Sequence, residues 1–331
     1  MSSVNKKLDK YFNYYLNEVD KPDYGVMLDG LWGEGKTYYM DNYLSSRNNS
    51  EEIYIHINLF GKNNLNQVND DVLIALYPFM GTKIFKTGKY LAQNLLNISL
   101  KVPIDLDGDG KSDGTSKVNI NLDDEMKKLS GLKRSKKIIY IFDEIERTNI
   151  PLDLIMGYIH SILEKQNSHV IIIGNEESLR KSSKYGSVYD EYKNKIIART
   201  LKIRPEIGAA LDEIILIIKN DKLIKEKELI LQHIKNIENI NLRILRQVLL
   251  EFDFFWKEVI NEGINFNDYT DTSISQMMLE FIKLGFKNKS GELYEYKHYL
   301  IFQKDIWISC FEKGYLEKEE FYGDMKKHLK N

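Results

Sequence analysis

The spacing of apolar positions changes several times along the chain, and each change marks an element. Residues 4–18 place Leu8, Phe12, Tyr15 and Leu16 three or four apart, which predicts an amphipathic opening helix. A short apolar run from Tyr24 to Leu28 stops at Asp29 and Gly30, as a strand entering a turn would. The stretch "TYYMDNYLSS" then carries neither Gly nor Pro until "RNNS", which predicts a short helix. "EIYIHINLF" (52–60) alternates and is rich in isoleucine, the pattern of a second strand. "KKIIYIF" (136–142) and "HVIIIG" (169–174) are continuous β-branched runs, as expected of strands buried on both faces of a parallel sheet. Between them, "LDLIMGYIHSILEKQ" offers Leu154, Tyr158, Ile162 and Leu163 as the apolar face of a crossover helix. "IIARTLKI" (196–203) supplies a fifth strand, closed off by Pro205.

Strands alternating with helices predict an α/β fold, an open and mainly parallel sheet flanked by helices, over residues 1–205. From 206 to 331 the pattern turns helical. Leu242, Leu245, Leu249, Phe252, Trp256 and Val259 form one helical stripe, and Ile230, Ile234 and Ile237 form another. Within the first region, "KVPIDLDGDGKSDGTSKVNINL" (101–122) reads as a hairpin insertion. Its tip sets Asp105, Asp107, Asp109, Gly110 and Asp113 at the spacing of a calcium loop, but Ser116 stands where a bidentate Glu belongs. An acidic hairpin tip is the plainer reading.

Composition narrows the function classes. The 331 residues allow about two cores, and 43% apolar with 29% charged content is that of a soluble protein. A net charge of −2 gives no indication of a nucleic-acid or anionic-membrane surface, though it leaves room for a local basic patch. One cysteine, Cys310, excludes an internal disulfide framework, fits a reducing compartment and suits a buried small hydrophobe. The opening residues lack the apolar core of a secretory signal, and no apolar run approaches the roughly 18 residues of a membrane span. The expected location is therefore the cytoplasm. The six histidines are scattered without metal-ligand spacing, and no Ser-His-Asp triad can be assembled.

The chemistry concentrates in one octet. Gly30, Leu31, Trp32, Gly33, Glu34, Gly35, Lys36 and Thr37 satisfy the pattern G-x-x-x-x-G-K-[ST] between a predicted strand and a predicted helix. Glycines let successive backbone N–H groups curl around a phosphate, and the following helix adds its dipole. Lys36 would bridge the β- and γ-phosphates of ATP, and the Thr37 hydroxyl would hold Mg2+. "IIYIFDEIERT" ends a buried strand on Asp143, placed to anchor the metal shell, and Glu144, placed to orient and deprotonate the attacking water. Asn175, at the tip of the "HVIIIG" strand, is a candidate for contacting the γ-phosphate and the water, or a helix N-cap, or both. Arg243 and Arg246 in "NINLRILRQ" are candidate γ-phosphate sensors or a solvated face; Arg147 and Arg199 are candidate arginine fingers.

These residues together resemble the KAP family of bacterial P-loop NTPases, within the broader group of AAA+ and STAND ATPases. The likeness rests on "GLWGEGKT" with Trp32 in the loop, on "NLFG", and on "IFDEIERT" closing with Arg147. It continues through "YKNKII" and "LKIRP", with Lys195 and Pro205 at matching places, to "NLRILR", and covers about residues 20–255. Family members often insert transmembrane helices where this chain has its hairpin region. They usually carry two aspartates at the acidic strand end and an acid at the third-strand tip, where Glu144 and Asn175 stand here. The resemblance implies a nucleotide-driven switch, in a family linked to phage exclusion and membrane-associated signalling complexes. The expected partner is a protein, or a second copy, docking through the helical region. Alternatives are an AAA+ motor handling DNA or RNA, a small-molecule kinase, and a nucleotide-binding scaffold without turnover.

Overall fold

The computed structural model describes residues 3–47, 49–76, 137–166, 168–182, 186–237, 240–261, 271–292 and 311. The hairpin of 101–122 with its candidate calcium loop, and Cys310, lie outside the described residues. The chain divides into two compact units, Ser2–Arg204 and Pro205–Asn331.

Among the described residues of the first unit, five strands form one sheet: β1 (Gly25–Asp29), β2 (Glu52–Asn58), β3 (Lys137–Asp143), β4 (His169–Gly174) and β5 (Ile197–Lys202). Their order is β2-β3-β4-β1-β5, and every neighbouring pair is parallel. The position of each strand explains its sequence. β1, β3 and β4 are internal and read as continuous apolar runs, whereas β2 lies at an edge and alternates. Successive residues of a strand face opposite sides, so each strand feeds two cores. Tyr140, Phe142, Met27 and Ile172 face one layer, with α3 (Leu65–Leu76), α4 (Leu152–Gln166) and α6 (Gly186–Ile196). Ile139, Ile141, Leu28 and Ile171 face the other, with α1 (Ser3–Glu18) and α2 (Lys36–Arg47).

The opening helix buries Leu8, Phe12, Tyr15 and Leu16 as its spacing predicts. The Tyr15 hydroxyl ties it to the sheet, donating to the Tyr24 carbonyl at 2.8 Å and accepting from the Val170 N–H at 3.1 Å. In α4, Tyr158, Ile162 and Leu163 are buried, but Leu154 is exposed; Ile155, Met156 and Ile159 complete the apolar face instead. The helix turns Leu154 outward because its buried stripe runs one residue later than the sequence pattern suggests.

The second unit contains α7 (Ile207–Ile218), α8 (Asp221–Lys225), α9 (Lys227–Ile234), α10 (Leu242–Asn261) and α11 (Asp271–Lys289). Leu245, Leu249 and Phe252 of the α10 stripe are buried with Val248 and Phe255; Leu242 and Trp256 pack at its margin, and the Val259 side chain lies outside the described ones. Phe252 meets the Phe281 ring of α11 edge-on at 5.5 Å and stacks on Trp256 at 5.8 Å. Gly285 is required where these helices cross, since a Cβ there would lie 2.8 Å from a Val248 methyl. Among the described residues, no helix is long and apolar enough to cross a membrane.

Removing the Phe252 ring opens a cavity that two packed helices cannot close. Phe252→Ala is expected to lose about 3–5 kcal/mol of stability. Urea unfolding of the variant followed by circular dichroism checks this; an unchanged midpoint would contradict the packing.

Candidate functional site

The octet after β1 forms a tight loop because two of its glycines adopt backbone angles closed to other residues. Gly33 has φ 83° and Gly35 has φ 86°, both in the left-handed region. A side chain on Gly30 has no room either: its Cβ would meet Glu34 Oε2 and Ile203 Cγ2, each at 2.6 Å. The loop closes on itself through Glu34, whose Oε2 accepts the Leu31 N–H at 2.6 Å. Helix α2 starts at Lys36, and its first intrahelical bond runs from the Tyr39 N–H to the Gly35 carbonyl. The positive end of a 12-residue helix thus lies directly after the loop.

Lys36 is buried, and its ammonium donates to the carbonyls of Gly30 at 2.7 Å and Leu31 at 3.0 Å. Thr37 donates its hydroxyl to Asp143 Oδ2 at 2.7 Å. This contact ties the first turn of α2, which follows β1, to the end of β3, although β4 runs between β1 and β3 in the sheet. Asp143 is itself buried and well held. Its Oδ1 accepts the Glu144 N–H at 2.8 Å, and its Oδ2 also meets His56 Nε2 at 3.2 Å.

His56 is a residue that sequence reading passed over. It belongs to β2, whose partner is β3, and the hydrogen bond to Asp143 raises its pKa above the ordinary imidazole value. Its other ring nitrogen lies 3.4 Å from Asp41 of α2. The only sequence signal was a polar residue on an alternating strand, which any edge strand carries.

Glu144 occupies the left-handed region at φ 58°, rare for a non-glycine residue, in the turn that leaves β3. Its Oε2 accepts from Arg147 Nη1 at 3.1 Å. The Arg147 guanidinium sits over the Phe60 ring at 4.1 Å and over the Trp32 ring at 5.1 Å. Trp32 of "GLWGEGKT", Phe60 of "NLFG" and Arg147 of "IFDEIERT" are thereby brought into one cluster, with Glu144 attached.

Glu146, absent from the candidates read in the sequence, lies deeper. Its Oε2 is buried and accepts no hydrogen bond, and it lies 2.8 Å from where a Gly174 Cβ would stand. Burial raises its pKa; bonds from its own backbone and from the Asn175 backbone, and the Lys36 charge, pull the other way, while Glu144 adds to the rise.

Asn175 follows β4 and is buried. Its side chain accepts the Ser178 N–H at 3.0 Å, capping α5 (Glu176–Lys181), so the N-cap half of its expected role is realised. Next to it, Asp29 Oδ1 accepts the Glu176 N–H at 2.8 Å and the Gly30 N–H reaches the Gly174 carbonyl at 3.3 Å, joining the tips of β1 and β4. Arg199 is not brought to the loop. It pairs in register with Val26, well before the end of β1, and its guanidinium lies 5.4 Å from the Tyr11 ring of α1. Arg243 and Arg246 belong to the second unit, where both are exposed in the first two turns of α10.

The sequence model of the KAP family P-loop domain matches residues 5–255. The chain belongs to this family. It is thus a P-loop NTPase by family. No curated protein matches the chain. Similar solved structures include Cdc6p from Pyrobaculum aerophilum, with 12% identity and a TM-score of 0.43 over 94% of this chain and 86% of that one. A Walker-type ATPase of Pyrococcus abyssi shares 13% identity, with a TM-score of 0.33 over 96% and 89% of the two chains. The Aeropyrum pernix ORC1 protein, solved in complex with DNA, shares 12% identity, with a TM-score of 0.34 over 94% and 82%. Likeness at this level bears on neither substrate nor partner.

The donor set suits a nucleotide with its magnesium. Gly33 and Gly35 give the loop its tight curl, and Thr37 and Asp143 offer a hydroxyl and a carboxylate side by side. Among the described residues no group of three or more His, Cys, Asp or Glu could hold a metal ion, so magnesium here would depend on phosphate oxygens and water for its remaining ligands.

The raised pKa of Glu146 has a consequence for stability. As pH climbs through the ordinary carboxylate value of 4.5, the unfolded chain releases this proton first, and the folded state loses stability until its own higher pKa is passed. Glu146→Gln removes that penalty. The melting temperature of the variant relative to wild type is expected to rise as pH climbs above the ordinary carboxylate value of 4.5, and a constant difference would contradict the assignment.

Proposed function

We propose that the chain is an ATP-binding and ATP-hydrolysing switch. The observation that carries this reading is the 2.7 Å contact between Thr37 and Asp143, which joins loop and acid across an intervening strand. In this reading the backbone N–H groups of Gly30, Leu31, Trp32, Gly33, Glu34 and Gly35 would turn to the β-phosphate, those of Gly30, Leu31 and Glu34 leaving the acceptors they now bond. Lys36 leaves the two loop carbonyls it now bonds and turns to the β- and γ-phosphate oxygens. Thr37 and Asp143 would hold Mg2+, directly or through water, and a bound ion would supply charge neutralisation at the phosphates.

Hydrolysis needs a group that takes a proton from water, and Glu144 is the proposed base. Asn175, fixed by its capping bond, sits at the strand tip beside the loop and orients the γ-phosphate or the water. Arg147 belongs to the same cluster. Arg243 and Arg246 are proposed as sensors that bind differently to ATP and ADP. Differential contact of that kind is what allows a nucleotide to shift an equilibrium between two states. The response passes to a protein partner, or to further copies of the chain, through the helical unit. Anti-phage defence in the bacterial cytoplasm is the setting that family membership supports.

Two variants test the reading. Lys36→Ala is expected to weaken ATP binding by at least about tenfold. Glu144→Gln is expected to keep binding while turnover falls by about 100- to 10,000-fold. Titration with a fluorescent ATP analogue and a phosphate-release assay measure the two quantities. Unchanged binding in the first variant would end the proposal; equal turnover in wild type and the second would leave a scaffold that binds without hydrolysing.

A further inference from the structure

Glu144 alone does not explain why three segments distant in sequence converge beside it. Trp32 and Phe60 are large apolar rings left 47% and 56% exposed, so burial in a core is not what places them. What they share is the Arg147 guanidinium, over the face of Phe60 at 4.1 Å and of Trp32 at 5.1 Å. A planar cation between two ring faces is attracted by both and is fixed in orientation as well as in position. The backbone supports the same arrangement. The Arg147 carbonyl accepts the Gly61 N–H at 3.3 Å, and the Asn149 N–H reaches the Lys62 carbonyl at 2.9 Å. Phe60 is itself set by its N–H bond to Asn58 Oδ1 at 2.9 Å. From this clamp Arg147 Nη1 donates to Glu144 Oε2 at 3.1 Å.

We infer that Arg147 and Phe60 are positioning residues for Glu144, and that through Trp32 they make its orientation depend on the conformation of the phosphate loop. The inference rests on the proposed role of Glu144 as the base. A base works only when its carboxylate is aimed, and a third group that holds one oxygen leaves the other directed at the proton to be taken. Glu144 leaves β3 through a left-handed turn, at φ 58°, so its direction is set locally and needs a partner to hold it. Trp32 lies within the octet that surrounds the phosphates. A shift of that loop on nucleotide binding moves one face of the clamp, and Arg147 carries the change to Glu144. The base is then aligned when the loop is closed on nucleotide.

The test compares Phe60→Ala, Phe60→Tyr, Arg147→Ala and Arg147→Lys with wild type, measuring kcat, the dissociation constant of a fluorescent ATP analogue and the melting temperature. Phe60→Ala is the informative variant, since an exposed ring contributes little to folding. It and Arg147→Ala are each expected to lower kcat by about tenfold or more, with nucleotide affinity within about twofold of wild type. Phe60→Tyr keeps a ring face and retains turnover. Arg147→Lys keeps the charge but not the plane, and falls with the alanine variant. Phe60→Ala added to Arg147→Ala costs nothing further, because both remove the same device. Turnover unchanged or raised in Phe60→Ala, or full activity in Arg147→Lys, would overturn the inference while leaving the ATPase reading intact. Absence of both binding and turnover in wild type would instead overturn the ATPase reading itself.

Discussion

The hydrogen bond from Thr37 to Asp143 is the constraint around which the first unit is arranged. Its two ends are the first turn of α2, which follows β1, and the end of β3, and β4 runs between those two strands. β4 ends in Gly174, where a Cβ would strike Ile145 and Glu146. The parallel sheet brings the C-terminal ends of all five strands to one edge, and the order reverses around β1 and β4, where open α/β sheets form a crevice. The loop, the acid and the Asn175 tip all lie along that crevice.

Polar groups in this region are kept in order by partners, and the exceptions are informative. Asp29, Asp143 and Asn175 each accept a backbone N–H; the Asp29 bond to Glu176 ties the tips of β1 and β4, and the other two hold their own turns. Lys36 satisfies its buried ammonium on the carbonyls of its own loop. The three acids at and after the end of β3 share a neighbourhood but not an environment. Asp143 is bonded on both oxygens, Glu144 is paired with a guanidinium, and Glu146 keeps a buried oxygen that accepts nothing.

Much of the fold was legible because its signals are local. Continuous β-branched runs identify the inner strands, the alternation of "EIYIHINLF" identifies an edge, and the 3–4 spacing of α1 and α10 identifies their buried faces. Leu154 shows the limit: an apolar residue in a helix is assigned to a face by one turn of spacing, and the packing of α4 placed it outside. The phosphate loop was legible for a stronger reason. Only glycine tolerates the backbone angles found at Gly33 and Gly35, so the geometry is written directly into the residue type.

The sequence by itself therefore determined the fold class, the five strands and the glycine turn of the octet, since propensity, period and glycine act over a few residues. Tertiary structure alone decided which strand would lie between loop and acid, that His56 would reach Asp143, and that Glu146 would lose its solvent. It also decided that Arg147 would stack on Phe60 and Trp32, while Arg199 would turn to Tyr11. An arginine looks the same in every strand and loop of a sequence. What it does is settled by which rings and carboxylates the fold carries to within reach of its guanidinium.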